Sequence, residues 1–229
     1  MAHPHMSRDW VSFDCYGTLA DWLGGMRNAL TPHVGAENAE RLLHAYHDLE
    51  ADVEAQRPAP RYREVLTETL RRAAEREGIE LPPGSETALV DHWHELPIFG
   101  DVGPALTALR ENGWSLAILS NCDDDLLAQT LERMPVPFDL TVTAEQVGSY
   151  KPDPGHWHAF TERTDGERGR WVHTAQSWFH DIDTAAQLNL PRVWVDRLDS
   201  GEDGTRATVR IEDLRGLPDA VERASASAS

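Results

Sequence analysis

Asp14 directly follows a short apolar run, Trp10 to Phe13, and leads into Gly17 and Thr18. The run reads as a buried strand, and open α/β sheets build their sites at the carboxyl ends of strands. An aspartate there is also an ordinary cap or turn residue, so the rest of the chain has to decide. Two more apolar runs end in the same manner. Leu116 to Leu119 gives way to Ser120 and Asn121, and Trp171 to Ala175 leads through Gln176 into a polar turn that reaches Asp181. Lys151, followed by Pro152, lies between them. Two carboxylates, two hydroxyls, an amide and an ammonium at strand ends could hold a carboxylate ionised beside a cation.

Lys151 is the only lysine; every other side-chain cation among the 21 Lys and Arg residues is arginine. A compact ammonium and a planar guanidinium are not interchangeable. A lone lysine in this place therefore points to a site that needs an ammonium.

These residues require elements to carry them. From residue 19 to 96 the pattern is helical. Leu42, Leu43, Tyr46 and Leu49 form a stripe over 37–53. A break at Pro58 and Pro60 precedes a second helix over 62–77, with Gly78 just past its end. A third helix is expected over 85–96 with Ser85 as its N-cap. From residue 103 helices and strands alternate: helices over 105–111, 124–133, 156–163 and 181–188, and strands over 115–119, 140–143, 171–175 and 193–196. Alternation of this kind implies a doubly wound parallel sheet. A terminal helix is expected over 211–223. The expected domains are an α/β core at 8–20 and 98–223, an inserted all-helical cap at 21–97, and a disordered tail at 224–229.

The gap from Asp14 to Ser120 is 106 residues, with 31 more to Lys151 and 30 more to Asp181. Thirty residues is about one βαβ unit, and the long first gap leaves room for the cap. The Asp14-Cys15-Tyr16-Gly17-Thr18 peptide, Ser120-Asn121, Lys151-Pro152 and the 171–181 segment, in this order, resemble the four motifs of the haloacid dehalogenase superfamily. The Tyr at position 16 resembles its 2-haloacid dehalogenase branch. The resemblance implies a Rossmann-like core with a helical cap. It makes Asp14 the nucleophile, Lys151 its cationic partner, Thr18 and Ser120 hydroxyl donors, Asn121 a leaving-group contact, and Asp181 the activator of a hydrolytic water. Attack by Asp14 would give an ester that water then hydrolyses.

The resemblance is incomplete. The general acid of the superfamily's phosphatases is replaced by Tyr16, and a fourth-motif metal carboxylate by Gln176. Both are thus expected to line a substrate pocket, and no cofactor is expected; Mg²⁺ would enter only in the phosphatase alternative. The branch's cap arginine aligns with Tyr46, with Arg41 or Arg61 as substitutes. Trp157 and Trp178 stand where a Tyr and an Asn are expected, either as pocket residues or as core.

The net charge of −18 argues against nucleic-acid and anionic membrane partners. A small-molecule substrate and a cytoplasmic location are expected, and a homodimer is left open. Cys15 and Cys122 adjoin motifs, either as core filler or as thiols that affect activity. The paired histidines His92/His94 and His156/His158 read as surface residues. Two other readings stay open: an Mg²⁺-dependent phosphatase, and a non-enzymatic binding protein on the same fold.

Overall fold

The computed structural model describes residues 8–164 and 170–227. Six strands form one parallel sheet: β1 (Trp10–Phe13), β2 (Ser115–Ser120), β3 (Leu140–Thr143), β4 (Trp171–Ala175), β5 (Arg192–Val195) and β6 (Val209–Ile211). All residues of β1 and β2 are buried, as expected of parallel strands covered on both faces. The spatial order is β3-β2-β1-β4-β5-β6. The chain moves outward from β1 through β2 to β3, then returns to β4 on the other side of β1. That reversal opens a crevice at the carboxyl ends of the strands. Asp14, Asn121 and Gln176 immediately follow β1, β2 and β4.

The helices inserted after β1 are α1 (Trp22–Val34), α2 (Ala36–Glu54), α3 (Tyr62–Glu77) and the short α4 (Ala88–Asp91), with a 3₁₀ turn at Trp93–Glu95. Asp21 caps α1 by accepting from Gly24 N at 2.9 Å. Gly78 ends α3 in the left-handed conformation, φ +64°. The single helix expected over 85–96 is instead two short pieces. Ser85 turns its hydroxyl back onto Pro82 O at 2.7 Å and so caps no helix, an alternative local bond open to serine.

Cap and core share a paired crossing and a capped helix. Ala20 bridges Ile98, and Asp21 N donates to Pro97 O at 2.7 Å. Asp123, a buried core residue, accepts from Tyr62 N at 2.9 Å and Arg63 N at 3.2 Å. A core carboxylate thereby satisfies the N-terminus of a cap helix and complements its dipole. Trp93 packs against Tyr16 and Tyr62, with ring centroids 4.5 and 5.7 Å away.

The remaining core helices are α5 (Val102–Glu111), α6 (Asp124–Leu131), α7 (Ala144–Val147), α8 (Gly155–Thr164), α9 (Asp183–Gln187) and α10 (Leu217–Ala226). The C-terminal region differs from expectation in two ways. The edge strand β6 occupies the start of the expected helix, paired to β5. Helix α10 then runs to Ala226, past the point at which a disordered tail was expected. Leu217, Ala220, Val221 and Ala224 are buried, and their spacing places them on one helix face, which explains the continued helix. Residues 228–229 lie outside the described residues. Near Asp181 the expected helix opens with a wider π turn, Trp178–Ile182, before α9 begins.

Candidate active site

Asp14 leaves β1 with its N–H on Thr174 O at 3.1 Å, and only 6% of it is exposed. The chain then turns at Gly17, whose φ is +91°. That conformation favours glycine, and a Cβ there would also crowd Gln176 Oε1 at 3.0 Å. The turn brings back Thr18, whose Oγ1 donates to Asp14 Oδ2 at 2.9 Å and accepts from Gln176 N at 2.9 Å.

Lys151 meets the other oxygen. Its Nζ donates to Asp14 Oδ1 at 2.9 Å, Asp181 Oδ1 at 2.7 Å and Leu119 O at 2.9 Å. An ammonium has three donors, so all are used, and the side chain is 1% exposed. The flat fork of an arginine cannot make three bonds that converge on one nitrogen, which accounts for the lone lysine. Burial alone would depress the Lys151 ammonium, but the charges of Asp14 and Asp181 prevail and hold its pKa above the ordinary value. Burial pushes the Asp14 carboxyl up, opposed by Lys151 and reinforced by Asp181. At Asp181 the desolvation is outweighed by Lys151 and His173, which pull its pKa down to about 2.

A buried relay stands behind Asp181. Trp171 Nε1–H donates to Ser12 Oγ at 2.8 Å, and Ser12 Oγ lies 2.8 Å from His173 Nδ1. His173 Nε2 is 3.0 Å from Asp181 Oδ1. The Asp181 carboxylate, held ionised, can only accept, so Nε2 carries the proton given to it. The Ser12 oxygen accepts from the indole N–H, and its hydroxyl proton can meet Nδ1. Two donors therefore meet on Oδ1, while Oδ2 is buried without a partner.

The other motif residues divide into contacts and supports. Ser120 Oγ is buried and unpartnered. Asn121 clamps the backbone of Lys151, accepting from its N at 2.7 Å and donating to its O at 3.0 Å. The Tyr16 hydroxyl accepts from Trp93 Nε1 at 3.0 Å and lies 3.0 Å from Thr130 Oγ1. His156, expected at the surface, is fully buried beneath this platform with Nε2 3.1 Å from Ser120 O. Burial, then Lys151, brings its pKa to about 3, so it is a neutral support. Cys15 and Cys122 are free and buried. Burial pushes Cys15 up, and takes Cys122 to about 12; both are protonated core thiols.

A cavity of ≈ 460 Å³ opens above Asp14. Ser120, Asn121, Lys151, Gln176 and Asp181 line its floor, with Tyr16 and Trp178 at its sides. Trp178 packs edge-on against Trp194, centroids 4.9 Å apart. Three expected pocket residues are elsewhere. Tyr46 is buried behind the wall, its hydroxyl on Glu50 Oε1 at 3.0 Å. Arg61 lies half-exposed at the joint between cap and core, paired with Glu145 at 2.7 Å. Trp157 is buried on the other side of the catalytic platform, edge-on to His173 with centroids 5.7 Å apart. Arg41 is bound to Glu77. Among the described residues, no cap arginine lines the cavity. The arginine that does is Arg197, which follows β5, and its guanidinium is committed to Asp101 and Thr18 O.

The cap instead contributes His47, Glu50, Ala51 and Glu54 from α2, which the sequence reading passed over. Their spacing of i, i+3, i+4 and i+7 marks one helix face and was the available signal. His173, Ser12, His180 and Arg197 were also missed; a lone histidine inside a strand carries no periodic signature.

Comparison with known proteins agrees with the motifs. The haloacid dehalogenase-like hydrolase family model matches residues 9–188. The (S)-2-haloacid dehalogenase 1 of Pseudomonas sp. (strain CBS-3) is 27% identical over 216 residues, 90% of this chain and 93% of its own. The (S)-2-haloacid dehalogenase 4A of Burkholderia cepacia is 30% identical over 149 residues, 62% of this chain and 63% of its own. Among solved structures, the L-2-haloacid dehalogenase of Xanthobacter autotrophicus, with chloropropionic acid covalently bound, superposes with a TM-score of 0.79 at 18% identity, over 94% of this chain and 98% of that one. The similarity in fold thus extends over cap and core together. Motifs, sheet order and a family match over most of the chain converge: the protein belongs to the haloacid dehalogenase-like hydrolases.

Proposed function

We propose that the protein is a metal-independent hydrolase that forms an ester on Asp14, with a substrate pocket unlike one built for small 2-haloacids. An Asp14 carboxylate oxygen attacks the substrate carbon, and the leaving group departs with the bonding pair. Water then attacks Cγ of the ester as Asp181 takes its proton. The Cγ–O bond breaks, and the oxygen that Asp14 donated leaves with the substrate carbon, taking a proton back from Asp181 to become the product alcohol. The water oxygen stays in the Asp14 carboxylate. The observation that carries this reading is the saturated Lys151 ammonium, which joins the nucleophile and the base. Lys151 and Thr18 orient the two Asp14 oxygens, and His173 helps hold Asp181 Oδ1 so that the unpartnered Oδ2 can accept the proton. Ser120 Oγ is free to bind the substrate or its leaving group.

The donor set supports a metal-free route. A hard divalent cation wants several oxygen ligands. Here Tyr16 is turned onto Trp93 and Thr130, Gln176 is neutral, and each carboxylate's Oδ1 is held by Lys151. The pocket departs from the relatives' named substrates because a small haloacid brings a carboxylate, which is costly to desolvate without a partner. The lining lysine and arginine, Lys151 and Arg197, are already committed, and the lining His180 faces Glu54.

Single turnover in ¹⁸O-labelled water tests the chemistry. A panel of 2-chloropropionate, 2-chloroacetamide and 2-chloroethylamine covers anionic, neutral and cationic carbon electrophiles. For a member that releases chloride, the label should enter the Asp14 peptide and be absent from the first-turnover product, with EDTA having no effect. Label entering the product directly, or activity lost to EDTA and restored by Mg²⁺, would overturn the reading.

A further inference from the structure

Where the relatives' cap arginine was sought, α2 presents two carboxylates to the cavity. Glu54 is 5% exposed, yet its nearest side-chain donors are Asn121 Nδ2 at 3.5 Å and His180 Nε2 at 3.7 Å. The first is at the limit of a hydrogen bond and is shared with Lys151 O; the second is beyond it. Buried carboxylates are normally paired and fully hydrogen-bonded, so Glu54 is short of donors. Glu50 is one helical turn away. Its Oε1 accepts from Tyr46 and Tyr62 hydroxyls at 3.0 and 2.9 Å, and no cation within ion-pair distance neutralises it among the described residues.

One unpartnered atom faces the same space independently of these acids. Ser120 Oγ, on a residue 1% exposed, has no hydrogen-bond partner, and its residue lines the cavity. His180 Nε2 instead faces Glu54 Oε2, and despite burial that carboxylate holds the imidazole above its ordinary pKa. The cavity lining also includes Trp22, Tyr62, Trp178 and Phe179. Aromatic faces attract cations through their quadrupoles, and attract them more strongly when the site is desolvated. Glu54 is short of close donors, and Glu50 has no cationic partner within ion-pair distance among the described residues. Beside aromatic surface, these two carboxylates form a lining that favours a positive ligand and repels an anionic one.

We propose that the cap wall of this cavity is a recognition site for an organic cation, and that the substrate carries an alkylammonium group at the end remote from the bond broken at Asp14. Glu54 and Glu50 receive its N–H donors and charge, the aromatic side chains cover its alkyl part, and Ser120 Oγ meets the reacting end. The position of the reacting end rests on Asp14 being the nucleophile; the cation site does not.

Reversible binding separates the two. Calorimetric titration of the wild-type protein at pH 8 and low salt uses n-butylammonium and butyrate, which match in chain length and differ in charge. n-Butylammonium should bind at least about tenfold more tightly than butyrate. Glu54→Gln and Glu50→Gln should each weaken the cation several-fold and leave butyrate unimproved or slightly better. Equal affinity for the two probes, or no detectable cation binding by wild type, would overturn the proposal; so would a folded Glu54→Gln that binds n-butylammonium as wild type does. The comparison of probes on the wild-type protein needs no variant and stands if a substitution unfolds. A failed ¹⁸O experiment alongside charge-selective binding removes the Asp14 chemistry and keeps the cation site; the reverse result removes only the cation site.

Discussion

The floor and the cap wall of the cavity are built on opposite principles. On the floor, Lys151 spends all three N–H donors within 2.9 Å, and each Asp14 oxygen has a donor. These groups come from strand ends fixed by the sheet register. On the wall, Glu54 has only distant donors, Asn121 and His180, and the two carboxylates come from one helix of the inserted cap. The network around Lys151 and Asp14 is satisfied, hence rigid and intolerant of substitution, with Ser120 Oγ and Asp181 Oδ2 as its open atoms. An under-satisfied, desolvated surface is where a ligand can still supply bonds. Under the proposed function the core would specify the reaction, and the cap what is admitted to it.

The largest expected effect tests the rigidity of the floor. Lys151→Arg keeps the charge but places it on a longer planar group, so at least one of the three bonds must be lost. Misplacement by about 1 Å can cost about a hundredfold, and kcat should fall by at least that factor. A rate within a few-fold of wild type would show that the three-way contact is not what orients Asp14. Asp181→Asn should leave attack by Asp14 possible and block release, so intact-mass analysis should show a substrate adduct on the Asp14 peptide. His173→Leu removes one of the two donors on Asp181 Oδ1. It should lower kcat by about tenfold with KM little changed, a networked positioning effect that a general loss of packing would not reproduce.

Floor and wall also differ in how much of each the sequence discloses. Asp14 and Ser120 can be placed at strand ends from apolar runs, and the spacing to Lys151 and Asp181 fits one βαβ unit each, while their roles and that of Thr18 are what the resemblance to the four motifs implies. The bounds of β1, β3, β4 and α3 follow from the same patterns. The wall is not legible in this way. Its acidic face lies on a helix whose opposite apolar stripe dominates the pattern, and aligning the cap by position selects Tyr46, one turn from Glu50 and on its hidden side. Trp157 illustrates the same limit: a buried indole reads alike whether it faces a pocket or packs beneath one. β6 was missed because a three-residue, half-buried edge strand has too few positions to show alternation.

A smaller effect should appear in stability. Burial, then the charge of Glu54, raises Glu50 from 4.5 to about 7. A carboxyl whose pKa is higher folded than unfolded binds its proton more tightly in the folded state. Its contribution to stability is fully present below about pH 4.5 and is lost as pH rises through 7. Glu50→Gln keeps an acceptor for both tyrosine hydroxyls and removes that loss. The variant should gain stability over wild type between pH 5 and pH 8, on the order of 2 kcal/mol after allowance for coupling to Glu54. Urea titrations at the two pH values measure it. A variant equally stable relative to wild type at both would mean that Glu50 is solvated, and that the contrast between wall and floor is overstated.

The smallest effect concerns Arg61, the residue that sequence reasoning placed in the pocket and that the structure places outside it. Its guanidinium pairs with Glu145 at 2.7 Å and reaches Asp123 at 3.5 Å, with 47% of the side chain exposed. Exposed pairs of this kind contribute about 0–1 kcal/mol. Asp123 keeps Arg63 and the two backbone N–H groups of α3 when Arg61 is lost, so the helix remains capped. Arg61→Ala should therefore lower stability by less than about 1 kcal/mol and leave KM within about twofold for cationic and anionic substrates alike. A selective rise in KM for 2-chloropropionate would place the Arg61 guanidinium in contact with the substrate's carboxylate. That result would restore a positive cap wall and reverse the charge preference argued for Glu50 and Glu54.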